Sequence, residues 1–75
     1  VAGAEAALRA ALDRHPEAPQ AWNNLAVVLA ELGERAAAIE AARRAIRFGG
    51  EETGAYRRTL REVRGAAPAT AESSP

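Results

Sequence analysis

The sequence predicts an all-α fold of about four helices, and three observations predict it. Alanine, leucine, arginine and glutamate, all strong helix formers, dominate residues 4–64. Apolar residues recur at spacings of three and four through that stretch. The helix breakers His15-Pro16, Gly33 and Gly49-Gly50 divide the chain into four segments.

The first helix is expected over residues 3–15. Ala4, Leu8, Ala11 and Leu12 make one apolar stripe, with Glu5–Arg9 and Arg9–Asp13 as i,i+4 pairs on the other side. Pro16 stops it, because the residue before proline is pushed out of the α region. The second helix, over 19–32, opens on Pro19, which suits a first turn where no amide donor is needed. Its stripe is Trp22, Leu25, Ala26, Leu29 and Leu32, and Gly33 is placed to take a left-handed cap. The third, over 35–48, turns Ala38, Ile39, Ala42, Ala45 and Ile46 inward, and Gly49-Gly50 ends it. The fourth, over 51–64, has Glu51 and Glu52 near its positive end and Arg61 and Arg64 near its negative end. Tyr56, Leu60 and Val63 give it a narrower stripe, as expected of a helix covered on one side. Residues 65–75, GAAPATAESSP, are small, polar and proline-containing and read as a flexible tail.

Seventy-five residues make one small domain with a thin core. The absence of cysteine rules out disulfides and thiolate metal sites. No apolar run reaches the roughly 20 residues that span a bilayer. Glu5 and Arg9 interrupt residues 1–12, which lack the layout of a signal peptide. The compartment stays open, with the cytoplasm as the default. The first residue is Val1, so a native start upstream is expected. Every basic side chain is arginine; with the abundant alanine, this composition is that of a GC-rich bacterial coding sequence. The formal charge is zero but unevenly spread. Residues 1–34 carry two arginines against five carboxylates, and residues 35–64 eight arginines against four.

Short helices joined by short turns suggest a repeat, and a period is present. From Pro19 to Glu52 the chain resembles one tetratricopeptide repeat of 34 residues, on Trp22, Leu25, Ala26, Leu29, Ala38, Ala42 and Ala45. Gly33 falls where that family turns. One period earlier, Ala4, Leu8 and Ala11 match Ala38, Ala42 and Ala45, and Pro16 is the family's closing proline. One period later, Tyr56 matches Trp22. The resemblance thus implies the second helix of a preceding repeat over 1–18, a full repeat over 19–52 and a capping helix over 53–64. Small residues at Ala26, Ala38 and Ala45 let two helices approach, and stacked repeats bury the remaining stripes. The departures are Gly50 in place of proline, Leu29 and Ala42 in place of aromatics, Thr59 at the position of Leu25, and Leu60 one position late. One complete repeat is fewer than the roughly three an array usually needs, so a longer array or a stabilising partner is expected.

Catalysis is not expected. His15, the only histidine, sits at a helix end with no second ligand for a metal. Ser73 and Ser74 lie in the tail, too remote for a serine–histidine–carboxylate arrangement. Gly49-Gly50 lacks the phosphate-loop pattern, and Glu51-Glu52 reads as a helix start. No cofactor and no metal are expected. Runs such as Arg43, Arg44 and Arg47 read as solvated faces. The aromatics of a nucleic-acid surface are missing beyond Tyr56, so nucleic acid is not the expected partner.

The resemblance implies a non-enzymatic scaffold that binds a peptide or protein on the concave face lined by each repeat's first helix. Gln20, Asn23, Asn24, Val27 and Glu31 would face that groove, with Val27 and Ala30 giving apolar contacts. Arg57 and Arg58 stand one repeat after Asn23 and Asn24, and Arg61 shares their helix. Asn24 followed by Arg58 is similar to part of the carboxylate clamp that holds acidic chaperone C-termini; Gly54 stands where the clamp has lysine. An acidic partner is therefore expected on the basic later half. The alternative is a structural subunit, or a terminal piece of an array, in a homo-oligomer or larger assembly, with Leu8 and Leu12 covered by a neighbour.

Overall fold

The computed structural model of the chain describes residues 2–65. They form α1 (Ala2–Arg14), α2 (Pro19–Glu31), α3 (Arg35–Phe48) and α4 (Thr53–Gly65), with a 3₁₀ turn over Gly50–Glu52 ahead of α4. The expected helices are present, with ends shifted by one or two residues. Gly65, expected to open the tail, is the last residue of α4; the remainder of the expected tail, 66–75, lies outside the described residues.

Each turn has a local cause. Pro19 begins α2 in the first turn, and Ala18 caps it without a side-chain hydrogen bond. The Trp22 indole Nε1 donates to the Pro16 carbonyl at 2.8 Å, which ties the α1–α2 turn to the helix that follows. The Arg44 guanidinium stands 5.1 Å from the centroid of the same ring, a contact worth about 0.5–1 kcal/mol at an exposed site. Beyond α2, Gly33 takes φ +82. The Glu34 amide donates to Leu29 O and the Gly33 amide to Ala30 O, the paired bonds of a Schellman cap. Leu32, expected on the apolar stripe, is the C-cap of α2 and is exposed, because the chain has already begun to turn there.

The α3–α4 turn explains the missing proline. Gly50 adopts φ +61, a value the proline ring forbids. At the preceding Gly49 a Cβ would lie 2.7 Å from both Ala45 O and the Tyr56 ring, so the buried tyrosine occupies the space a side chain would need. Thr53 Oγ1 donates to Gly50 O at 2.7 Å, bridging the 3₁₀ turn to α4.

The core lies around α2, which packs on α1, α3 and α4. Leu25 and Leu29 are the large side chains most completely enclosed, against Ala26, Ala38, Ala41 and Ala42. The α2–α3 seam is thus two leucines pressed into alanines. Ala41 belongs to it although its place was not read from the spacing, whereas Ile39 and Ile46 are only half-buried. A close helix crossing accepts small side chains, and branched ones are displaced to its edges.

The ends of the array differ from their expected stripes. On α1 Leu12 is buried, Leu8 is half-buried, and Ala4 and Ala11 are exposed. Their counterparts Ala38 and Ala45 are 0% exposed, Ala38 within the core cluster that holds Leu25 and Leu29 of α2. On α4 the buried residues are Tyr56, Thr59 and Val63, whereas the more apolar Leu60 is half-buried. These three sit one period after Trp22, Leu25 and Leu29, so repeat register outweighs hydrophobicity in deciding what turns inward. Thr59 satisfies its hydroxyl within the helix, donating to Ala55 O at 3.3 Å. Of the expected surface pairs, Arg9–Glu5 forms at 2.8 Å and Arg9–Asp13 does not; a further i,i+4 pair joins Arg44 and Glu40 at 3.3 Å.

Candidate partner-binding groove

Short turns make successive helices antiparallel, so α2 and α4 run the same way across α3. Between their C-terminal halves a hollow of about 270 Å³ stays open, lined by Val27, Ala30 and Glu31 of α2 and by Glu62 and Val63 of α4. Val63 is its buried floor. Val27 is 41% exposed at its edge. The hollow is a shallow apolar trough with one carboxylate on each lip.

The expected site residues divide among three environments. Gln20, Asn24, Val27 and Glu31 are all exposed and recur at helical spacing, so they form one stripe leading into the trough. Arg58 is exposed one turn before Glu62 and extends the matching stripe on α4. Asn23 is half-buried, and its Oδ1 is buried with no hydrogen-bond partner among the described residues. The free amide of the pair is therefore Asn24. Arg57 and Arg61 do not reach the trough. With Leu60 and Arg64 they line a separate hollow of about 290 Å³ on α4.

Glu62 and Val63 were not read as site residues. Their signal was the helical stripe through Arg58 and Thr59, which places 62 and 63 on the side of α4 turned to α2. A larger hollow, about 550 Å³, lies against the α1–α2 turn, but Arg14 to Ala18, five consecutive residues, form its lining. A single length of chain supplies one wall and encloses nothing. Among the described residues no three potential metal ligands come together. No described helix is long and apolar enough to cross a membrane.

The buried positions of α2 and α4 follow one 34-residue period, and the family model for the tetratricopeptide repeat matches residues 1–53. The chain belongs to the tetratricopeptide repeat family. Tetratricopeptide repeats serve in general as protein–protein interaction modules and as non-catalytic scaffolds. The matched stretch holds all of α1 to α3 and ends on Thr53, the first residue of α4. No curated protein and no solved structure matches this tetratricopeptide repeat chain.

Proposed function

We propose that the chain is a non-enzymatic scaffold that holds a segment of a partner protein in the α2–α4 trough. The observation that carries this reading is the exposed Val27 beside Ala30 and Val63, an apolar strip left open between two helices. Burying such a strip under a partner removes apolar area from water at about 25 cal/mol per Å². Asn24 supplies an exposed amide on the stripe that leads to it, and Arg58 a charge on the matching stripe of α4, outside the lining of the hollow. Arg57 and Arg61 belong to the second hollow, where an acidic part of the same partner would dock.

The test is an array of short random-sequence peptides probed with the labelled chain. The double variant Val27→Gln, Ala30→Gln fills the trough with neutral polar side chains, one at an exposed and one at a half-buried helix position. It is expected to keep the helical spectrum and to lose at least about tenfold in signal, about 1.4 kcal/mol, on the peptides that the parent chain retains. Equal retention by both chains rejects the trough as the site.

A second reading is favoured by α1. Ala4, Leu8 and Ala11 stand one period before Ala38, Ala42 and Ala45 of α3, yet Ala4 and Ala11 are exposed and Leu8 is only half-buried. On this reading α1 packs against another chain, and the protein is a structural part of a helical assembly. Size-exclusion chromatography with light scattering separates the two. Association that Ala7→Glu and Ala11→Glu abolish supports the assembly; a monomer at all concentrations removes self-assembly from it.

A further inference from the structure

We propose that the segment held in the trough presents a cationic side chain, Lys or Arg, beside an apolar one; this rests on the trough reading above. The apolar floor and the two carboxylates belong to one hollow. Glu31 is the last residue of α2, and Glu62 lies in the last turn of α4. The negative ends of two helix dipoles therefore converge where the two carboxylates stand. A carboxylate at a helix C-terminus is unfavourable, and here the same cost is incurred on both walls of one groove.

Neither carboxylate forms an ion pair within the described residues. The ion pairs among the described residues are Glu5–Arg9 and Glu40–Arg44. Arg58 shares a stripe with Glu62 but makes no ion pair with it. Arg61 and Arg64 line the other hollow, on a different side of α4. Two carboxylates and two helix ends thus face an apolar trough without an internal ion pair. A lysine or arginine entering there meets four favourable partial or full charges, while its apolar neighbour covers Val27 and Val63. Long cationic side chains suit such a surface, because their methylene stems pack on apolar groups and their heads reach the carboxylates. An acidic segment would meet like charge at this end, so the acidic partner expected from the overall charge division is disfavoured in the trough.

The peptide array tests this with the double variant Glu31→Gln, Glu62→Gln. Peptides retained by the parent chain are expected to be enriched in Lys or Arg next to Leu, Ile or Val, and to weaken as salt rises. The double variant is expected to lose that enrichment and at least tenfold in binding, while melting at the parent temperature or above it. Retained peptides that are acidic or neutral, or an enrichment unchanged in the variant, overturn the proposal and leave the trough reading standing if Val27→Gln, Ala30→Gln still abolishes binding. Retention of no peptide at all overturns both.

Discussion

Replacing Leu25 with alanine is expected to leave little folded protein at 37 °C. Leu25 is 1% exposed and sits where α2 meets the alanines of α3. Truncating a buried leucine costs about 2–5 kcal/mol, from lost transfer energy and the cavity left behind. The upper end applies here, because the surrounding residues are mostly alanines on rigid helices and have no flexible side chains with which to refill the space. A domain of this size holds only about 3–10 kcal/mol of stability. The midpoint of a circular dichroism melt should fall by roughly 10 °C or more. A midpoint within a degree or two of the parent's would show that the α2–α3 seam is not the principal core.

The opposite change is expected to be nearly as damaging. Ala38→Leu adds three carbons to a position that is 0% exposed, in the same core cluster as Ala26, which is also 0% exposed. Leucine is almost as good a helix former as alanine, so local propensity hardly changes. What changes is the distance at which α2 and α3 can cross. Overpacking of this kind typically costs about 1–3 kcal/mol. A urea midpoint lowered with an unchanged slope would report it. An unchanged or raised midpoint would mean that the alanines are small through composition and not through need. The pair of variants brackets the seam, one making it too empty and the other too full.

Much of this architecture was legible in the order of residues. Helix-forming composition with breakers at Pro16, Gly33 and Gly49-Gly50 located all four helices. The period that aligns Trp22 with Tyr56 and Ala38 with Ala4 identified the repeat, and the match over residues 1–53 agrees with it. Less legible were positions where register and side-chain chemistry disagree. Leu60 looked like the inward residue of α4, yet Thr59 is buried, because Thr59 is the residue one period after the buried Leu25. Gly50 looked like a lost proline, yet its positive φ makes glycine a requirement of the turn built there. Asn23 and Asn24 looked alike, yet a rotation of 100° along the helix hides the first carbonyl oxygen and exposes the second side chain.

The candidate site divides in the same way. Val27, Ala30, Asn24 and Glu31 could be assigned to one face of α2 from spacing alone, since a helical period decides what shares a face. Glu62 and Val63 could be joined to them only in three dimensions, because they stand on a helix more than thirty residues later. The charge of the site followed the same rule. A count along the chain makes the later half basic and points to an acidic partner. Folding turns Arg57, Arg61 and Arg64 to one side of α4 and Glu62 to the other, so the trough itself carries the opposite sign. Helix positions, the repeat period and the apolar stripes are thus determined by the sequence alone, because they depend on interactions within a few residues. The burial of each stripe, and the sign of the charge in the groove between α2 and α4, were decided only by tertiary structure, because they depend on which helices lie side by side.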